Sequence, residues 1–335
     1  MTRRVLLAGI LVAATLLAAA EGSAQSSTIV TSLTLFVGTH EGLWRSGDWA
    51  QSWERVTGGT TGVRLDSLGA ARLVVPMGPE VYVAGDSGVY VSNDFGDTWM
   101  PLSATTGVRS LLFSRWPQAD PTVFAGTGRA LLRSRDGGRN YDPTPLPAGP
   151  VHNLQWPGPA LVVASGRGVM VSNDGGESFT GPGTGLPEGG AVAMALSSFF
   201  AVDPVIFAAP LAGGVFRSDD GGVTWEESGL GGEIVRDLIW LGPFLYAAAD
   251  GGFFRSDDTG GMWTKLSESP GRPVELMFPL APAAGLEAFL ATDQGVFRTV
   301  DAGQTWHLAG FQGQEVLSIA TFPPPRPDLE LNQGR

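Results

Sequence analysis

The chain of 335 residues has no cysteine, and it is poor in lysine, tyrosine and histidine. Without cysteine no disulfide can form, so a buried core must hold the fold, and a chain of this length can bury enough surface to do so. Lys265 is the single lysine among 21 basic residues. The three histidines, His40, His152 and His307, lie far apart and lack metal-ligand spacing. We therefore expect no metal site and no cofactor.

Positive charge is also scarce, since 33 acidic residues outnumber the basic ones and give a formal net charge of −12. A surface of this sign repels nucleic acid and anionic lipid, so neither is an expected partner. Phosphate-binding loops and the Gly-x-Ser-x-Gly nucleophile pattern are missing too. The composition therefore favours neither a nucleotide-binding enzyme nor a serine hydrolase.

Long apolar runs are confined to the N-terminus, where Arg3 and Arg4 precede an apolar stretch at residues 5–20. The small residues at 22–24 complete a secretory signal pattern, so we predict a signal peptide at 1–24 and a linker at 25–32. A membrane span needs about 20 residues, and a lipid-anchored form would need a cysteine. An uncleaved anchor and twin-arginine export stay open. We expect an extracytoplasmic monomer without stable membrane insertion.

Glycine and proline, by contrast, are abundant, with 48 and 24 residues, as in a turn-rich all-β protein. One pattern, Ser-x-Asp-x-Gly-x-Thr-Trp, is complete at 92–99 and 218–225 and recurs with substitutions from residues 46, 134, 172, 256 and 299. Successive copies start 46, 42, 38, 46, 38 and 43 residues apart. Periods of about 40–50 residues suit four-stranded propeller blades, so seven copies predict a seven-bladed β-propeller.

The aspartate of the pattern is present in every copy and has a structural explanation. A turn aspartate accepts hydrogen bonds from N–H groups two or three residues further on, and glycine permits the positive φ of the turn. The final aromatic residue is expected to pack between neighbouring sheets. The same side chain in every blade cannot converge on one site, so we predict a structural role for Asp48, Asp94, Asp136, Asp174, Asp220, Asp258 and Asp301.

This pattern resembles the Asp-box, or BNR, repeat, and the resemblance covers roughly residues 33–321. Families with this repeat include sialidases, xyloglucan-cleaving glycosidases, sortilin-type receptors and photosystem II stability and assembly factors. The resemblance implies propeller blades, whereas the activities of these families differ. The B strands of this chain end in Ala-Gly-Thr or Ala-Ala-Asp, unlike the Trp-containing pattern of the assembly factors.

Each unit is predicted to run as strand A, loop, strand B, tight turn, strand C, box turn and strand D. The first unit begins with a strand B at 33–39, and an unassigned strand A follows the last box at 315–320. Pairing these two segments would close the ring and leave no open edge. The predicted propeller therefore covers 33–322, and the Pro-rich tail at 323–335 is expected to be disordered.

One set of polar residues is not explained by the scaffold. When the A strands are aligned on a leading valine, the next position holds Arg64, Arg109, His152, Arg236 and Glu275 among apolar residues. Strand A lines the channel of a propeller, and the B–C turns at the same end add His40, Glu41, Asp86, Arg129, Arg167, Asp250 and Asp293. Converging arginines suit a carboxylate or phosphate, although a solvated funnel would also be polar.

Two functions follow from this. The first is a non-catalytic propeller that binds an acidic group of a protein, peptide or glycan at the channel mouth, through Arg64, Arg109, His152, Arg236, Glu275, Arg129 and Arg167. The alternative is a glycoside hydrolase, in which Glu275 would pair with Glu233, Asp237 or Asp250. The chain lacks the Arg-Ile-Pro motif and the spare tyrosine of sialidases, so we assign no catalytic residue.

Overall fold

A computed structural model describes residues 34–58, 71–77, 80–114, 119–279 and 287–322. The predicted signal peptide, linker, C-terminal tail and Arg64 lie outside the described residues. The regular structure of the described part consists of β-strands in seven antiparallel sheets. The first strand of every sheet contributes to one central cavity, so the sheets are the blades of a propeller. The predicted all-β, seven-bladed fold is confirmed.

Blades 1 to 4 contain the following strands, written from the channel outwards. Blade 1 has β27 (Val316–Phe322), β1 (Thr34–Thr39), β2 (Gly42–Ser46) and β3 (Glu54–Arg55). Blade 2 has β4 (Ala71–Met77), β5 (Glu80–Gly85), β6 (Gly88–Ser92) and β7 (Met100–Ser103). Blade 3 has β8 (Val108–Phe113), β9 (Val123–Thr127), β10 (Leu131–Ser134) and β11 (Asp142–Pro143). Blade 4 has β12 (Val151–Gln155), β13 (Leu161–Ser165) and β14 (Gly168–Ser172).

Blades 5 to 7 are four-stranded. Blade 5 has β15 (Ala191–Leu196), β16 (Ile206–Pro210), β17 (Phe216–Ser218) and β18 (Glu226–Glu227). Blade 6 has β19 (Val235–Leu241), β20 (Phe244–Ala249), β21 (Gly252–Ser256) and β22 (Thr264–Ser267). Blade 7 has β23 (Pro273–Met277), β24 (Ala288–Thr292), β25 (Gly295–Thr299) and β26 (His307–Gly310).

The ring closes between the two ends of the propeller, as predicted. Strand β27 pairs antiparallel with β1, and this register places Ala320 opposite Phe36 and Ile319 opposite Val37. The C-terminal strand thereby supplies the innermost strand of blade 1. No edge is left between blade 7 and blade 1, because the chain itself crosses that boundary.

Two details of the blades differ from the prediction. Strand A of blade 2 begins at Ala71, so the apolar run that starts at Val63 is not this strand. Blade 4 has three strands, and only Thr180 pairs with its third strand, through one bridge to Val171. Gly181 and Pro182 follow at once, and proline has no N–H with which to extend a ladder.

The box turn works as the sequence predicts, with a small shift in its hydrogen bonds. In blade 5 the Ser218 hydroxyl donates to Asp220 Oδ1 (2.8 Å) and accepts the Gly222 N–H (2.8 Å). Asp220 also accepts the N–H groups of Val223 (3.0 Å) and Thr224 (2.9 Å), three and four residues further on. The Thr224 hydroxyl donates to its second oxygen (2.6 Å). These hydrogen bonds lower the pKa of Asp220 to about 2, and the bond from the Thr224 side chain has the largest effect.

The boxes also join each blade to its predecessor. Gly96, at φ +94°, lies so close to the blade-1 residue Phe36 that a Cβ there would come within 2.9 Å of the ring. The box aromatics sit at the same boundaries: the indole of Trp53 donates to Ala309 of blade 7 (2.8 Å) and that of Trp263 to Ser228 of blade 5 (2.7 Å). The predicted packing of the box aromatics between sheets is confirmed at these boundaries.

An arginine in strand C reinforces three of the boundaries. Arg133, Arg217 and Arg298 each stand directly before the first residue of their own box and donate to a backbone carbonyl of the next blade. The acceptors are Gly175 (2.7 Å), Thr259 (3.0 Å) and Trp49 (3.3 Å) respectively, and each is the fourth residue of its box. Because the geometry repeats, these arginines act as equivalent ties between blades.

Replacing Arg133 should therefore loosen the boundary between blades 3 and 4. The Arg133 side chain is 12% exposed, and Arg133→Ala leaves the Gly175 carbonyl without its donor, so we expect a loss of about 1–3 kcal/mol in denaturant unfolding. Arg135 is the matched control, because it contacts the same Glu177 but is 59% exposed and donates to no carbonyl of blade 4. Arg135→Ala should change stability by less than about 0.5 kcal/mol. Equal losses for the two variants would contradict the tie.

Candidate functional site

The channel mouth is built by the D–A loops together with the B–C turns. Backbone bonds hold the turns of blades 4, 6 and 7 beside the start of their own strand A: Asp250 N–H donates to Ile234 (3.0 Å), and Asp293 N–H donates to Arg272 (3.1 Å). In blade 4 the Gly166 N–H donates to Pro150 (2.8 Å). Those of the selected residues that the structure describes therefore share one end of the propeller.

The alignment of the A strands needs correction in two further blades. Strand A carries a register shift after its first residue in blades 2 to 7, which turns the second residue out of the ladder. Arg109, His152 and Arg236 occupy that second position, as expected. In blades 5 and 7 it is held by Val192 and Val274, so Glu275 lies one residue further along. Position 275 is equivalent to Ser110, Asn153 and Asp237.

This third position lines the channel, a cavity of about 330 Å³ to which all seven blades contribute. Asp237 accepts the N–H groups of Leu238 (2.9 Å) and of Leu276 in blade 7 (2.9 Å). Glu275 accepts the N–H of Ile319 in blade 1 (2.9 Å). Both carboxylates thus tie the innermost strand of one blade to that of the next.

The pKa values of both carboxylates are raised. Burial, opposed by the two N–H bonds, raises the pKa of Asp237 to about 6. Burial, opposed by the Ile319 N–H and reinforced by the charge of Asp237, raises the pKa of Glu275 to about 7. Both residues are partly exposed, and their exposed surface faces the channel; protein surrounds the rest of each side chain. The pair is coupled, because ionising one carboxylate disfavours ionising the other.

Two polar atoms on blades 3 and 4 have no partner. Ser110 Oγ and His152 Nε2 are buried and form no hydrogen bond within the described residues. Burial, with the nearby Arg109 charge, lowers the pKa of His152, so its ring is neutral at pH 7. Both residues line the same channel cavity as Asp237 and Glu275. Ser110 could not be recognised from the sequence, because the register shift after Val108, which brings this third residue of the strand to the cavity, leaves no mark in the residue pattern.

A second cavity, of about 760 Å³, opens at the mouth beside blade 3. Arg109 and Arg129 both line it, together with Thr106, Gly107 and Asp86 of blade 2. Both arginines are exposed, and neither side chain forms an ion pair or hydrogen bond within the described part of the chain. The Arg109 guanidinium lies over Gly128, about 3.5 Å from where a side chain there would begin. We call this opening the blade-3 cleft.

The other predicted site residues are already engaged. Arg236 forms a two-pronged pair with Asp250 (2.9 and 2.8 Å), and Arg167 donates to the Ala148 carbonyl (2.9 Å). His40 contacts Glu315 (3.1 Å). Arg236, Arg109 and His152 line one cavity. Of the predicted arginines that the structure describes, only Arg109 and Arg129 meet at the blade-3 cleft with free donors. The two described mouth arginines without a partner thus both belong to blade 3.

Two kinds of site are not formed by the described residues. They contain no group of three or more histidine, aspartate and glutamate side chains placed to hold a metal ion. Within the same residues there is no helix with the length and apolar character to cross a membrane.

Comparison with known proteins agrees with this architecture. The model of the BNR/Asp-box repeat family matches residues 216–227, which form the box of blade 5 with its flanking strands. The other six box turns carry the same sequence pattern as this matched segment. An alignment of 162 positions, which covers 43% of the chain, shows 28% identity to an oligoxyloglucan-reducing end-specific xyloglucanase of Neosartorya fischeri. That alignment spans 19% of the Neosartorya protein.

Solved structures resemble the Asp-box propeller in fold. YCF48 from Cyanidioschyzon merolae has a TM-score of 0.58 at 16% identity, over 83% of this chain and 98% of that one. A YCF48 structure bound to D1 peptide has a TM-score of 0.52 at 16% identity, over 71% and 81%. The GH74 enzyme of Niastella koreensis scores 0.54 at 16% identity, over 75% of this chain and 45% of that one. The fold is therefore shared by propellers with different activities.

The channel carboxylates predict a stability that falls as pH rises. Because the pKa of Glu275 is higher in the folded state (about 7) than in the unfolded state (about 4.5), its contribution is complete below pH 4.5 and is lost as pH rises through 7. Glu275→Gln keeps an acceptor for the Ile319 N–H without the charge. At pH 8 we expect this variant to melt ~2–4 °C above the wild type, and at pH 4.5 to melt at the same temperature.

The control for that measurement is Glu268→Gln, since Glu268 is 84% exposed and pairs with Lys265 at the surface. Its melting temperature should follow the wild type at both pH values. A Glu275→Gln variant that is less stable than the wild type at pH 8 would show that the buried charge stabilises the ring.

Proposed function

We propose that this Asp-box propeller is an extracytoplasmic, non-catalytic binding protein whose blade-3 cleft takes an acidic group of a peptide or glycan partner. The observation that carries the proposal is the pair of arginines with free donors, Arg109 and Arg129, in one cleft of about 760 Å³. The apolar segment at residues 5–20, read as an export signal, supports the location.

The charges around the cleft support an acidic ligand. Elsewhere at the mouth, Arg236 is neutralised by Asp250, and Arg272 lies beside Asp293 and Glu315. Arg55, Arg139 and Arg167 also lack carboxylate partners, but each donates to a backbone carbonyl, whereas Arg109 and Arg129 have neither kind of partner within the described residues. A guanidinium group offers five donors in a rigid fork that matches a carboxylate or phosphate. A ligand carboxylate would supply the partner that these two side chains lack.

A peptide is the favoured form of this ligand. YCF48, a propeller whose fold this chain shares over 71% of its length, has been solved bound to D1 peptide. The blade-3 cleft also presents backbone at Gly107, where a Cβ would meet nothing within 4 Å. A peptide backbone can use such groups in addition to its carboxylate.

Substitution of the two arginines tests the binding function. Arg109→Gln with Arg129→Gln should weaken binding of an acidic hexapeptide at least ~10-fold, the loss expected for one charge-assisted hydrogen bond of about 1.5–3 kcal/mol. Binding is measured by fluorescence anisotropy at two salt concentrations, with the Gln-substituted peptide and an oligogalacturonide as further probes. Stronger binding of the oligogalacturonide than of the peptide would identify the partner as a glycan.

Arg272→Gln is the matched control, because Arg272 lies at the mouth but is paired with Asp293 and Glu315. Arg272→Gln should leave the affinity for the acidic peptide within about 2-fold of the wild type. Neither this variant nor the blade-3 variant should differ from the wild type in melting temperature. Unchanged affinity in the blade-3 variant, or equal binding of acidic and neutral peptides, would refute the proposal.

A second candidate is a glycoside hydrolase, which the similarity to the Neosartorya xyloglucanase favours. Its acid and base would be Glu275 and Asp237, which share one cavity and have raised pKa values. Both carboxylates, however, already hold backbone N–H groups of the next blade. We expect no turnover of xyloglucan oligosaccharides. Turnover that is lost in Glu275→Gln but kept in Glu268→Gln would replace the binding function by hydrolysis.

A further inference from the structure

The residue directly before the box is arginine in five blades and valine in blades 2 and 4. The arginines are Arg45, Arg133, Arg217, Arg255 and Arg298. In each of these five blades the arginine lies opposite an aromatic residue of strand B, as Arg298 does opposite Phe289. Blade 2 keeps the aromatic residue, because Tyr82 lies opposite Val91. At this pair of positions, only the arginine is replaced.

The arginine of blade 7 shows which groups such a side chain contacts. Arg298 Nε donates to Glu287 Oε1 (2.6 Å), and its Nη1 donates to the carbonyl of Trp49, the fourth residue of the next box (3.3 Å). The guanidinium carbon lies 5.9 Å from the centre of the Phe289 ring. One guanidinium group thus meets a carboxylate, a backbone carbonyl and an aromatic face.

Blade 2 presents the same three groups without the arginine. Glu80 lies two residues before Tyr82, the spacing that blade 7 also has, and Gly137 is the fourth residue of the next box. Among the described residues, the Glu80 side chain accepts only the Tyr82 hydroxyl and forms no ion pair, and no group donates to the Gly137 carbonyl. Tyr82 is 8% exposed, whereas Phe289 beneath Arg298 is 0% exposed. The partners of a guanidinium group are therefore in place but unused.

These groups line one cavity of about 920 Å³ between blades 2 and 3, at the box end of the propeller. Ligand pockets are usually of about 300–1,000 Å³. Met100 and Phe113 add apolar wall. The described wall holds two further charges: Asp136, whose oxygens are bonded within its own box, and Arg139, which is exposed and donates to the Asp136 carbonyl (2.8 Å). Glu80 is thus the carboxylate that is available to a ligand.

Blade 4 shows that this boundary can be built without polar groups. There Val171 lies opposite Val162, and Ala160 holds the position of the carboxylate. All three belong to one buried apolar cluster. A blade without the arginine can therefore fill the boundary with apolar side chains, whereas blade 2 has a carboxylate and an aromatic ring beside an open cavity.

We propose that the cavity between blades 2 and 3 binds an alkylguanidinium group, such as an arginine side chain, against Glu80, the Gly137 carbonyl and the Tyr82 ring. The planar guanidinium fork can donate to a carboxylate and a carbonyl together, as that of Arg298 does, while its apolar stem lies along the apolar wall. The site takes a cation and lies at the opposite end of the strands from the blade-3 cleft. It does not depend on the function of that cleft.

Titration calorimetry with three blocked amino acids tests the proposal. The amide of N-acetyl-arginine carries the guanidinium group, that of N-acetyl-citrulline is its uncharged isostere, and that of N-acetyl-lysine carries a charge without the planar fork. We expect the arginine probe to bind at least ~10-fold more tightly than the citrulline probe and at least ~3-fold more tightly than the lysine probe. No binding of the arginine probe at about 10 mM, equal binding of citrulline, or tighter binding of lysine would overturn the site.

Two further probes distinguish the sources of the guanidinium group. Tighter binding of the peptide Gly-Gly-Arg-Gly-Gly than of agmatine would identify a polypeptide as the ligand, and tighter binding of agmatine a free guanidine.

Substitutions in the cavity wall provide an independent readout. Glu80→Gln should weaken binding of the arginine probe at least ~10-fold, because it removes the charge that the guanidinium group meets. Glu268→Gln is the control, since Glu268 is 84% exposed and lies in blade 6 or its following loop, and it should leave affinity within about 2-fold. Arg139→Gln should strengthen binding ~2–3-fold, because it removes a like charge from the wall. Unchanged affinity in Glu80→Gln, or weaker binding in Arg139→Gln, would contradict a cation site.

Val91→Arg tests the fit of the guanidinium group from within the chain. The new side chain should reach Glu80 and Gly137, abolish binding of the arginine probe and raise the melting temperature by ~2–4 °C. Val171→Arg is the matched control and should lower the melting temperature, because Ala160 stands where the carboxylate would be. A Val91→Arg variant that melts below the wild type, or that still binds the arginine probe, would overturn the proposal.

Discussion

The hydrogen bonds accepted by the box aspartate are the constraint on which the propeller depends. Asp94 accepts the Thr98 N–H and hydroxyl and the Ser92 hydroxyl, which together fix the turn between strands C and D. That turn places Gly96 against Phe36 of the preceding blade. A single carboxylate therefore orders a turn within one blade and the packing between two blades. Its seven-fold repetition replaces the disulfides that the chain lacks.

The scaffold and the candidate sites of the mouth and channel lie at different ends of the strands, which separates stability from function. Each box follows strand C, whereas the blade-3 cleft and the channel wall are built from the starts of the A strands and the B–C turns. Residues at the mouth can vary without disturbing a box, and they do: Arg109, His152 and Val192 occupy one structural position in three successive blades. The channel carboxylates are the exception, because Asp237 and Glu275 also join blades.

The sequence predicted the parts of the fold that depend on local chemistry. Serine, aspartate and glycine at fixed offsets determine a turn wherever they occur, so the blade number and the closing strand could be read directly. The register of strand A could not be predicted, because the shift after its first residue leaves no pattern of apolar residues. In blades 5 and 7 the alignment on valine chose Val192 and Val274 as first residues, whereas the strands begin at Ala191 and Pro273. That one-residue error aligned Glu275 with Arg109 instead of with Ser110.

Burial and pairing were likewise beyond the sequence, because they depend on residues far apart in the chain. Glu275 bonds Ile319, which is 44 residues away, and Arg236 pairs with Asp250 across a turn. Only the structure separates paired arginines from free ones. In an acidic protein, a partner carboxylate meets net repulsion at long range, and attraction begins within about a Debye length, ~8–10 Å, of the blade-3 cleft. Recognition there must rest on short-range hydrogen bonds, which favours a ligand that fits the cleft over one that is merely acidic.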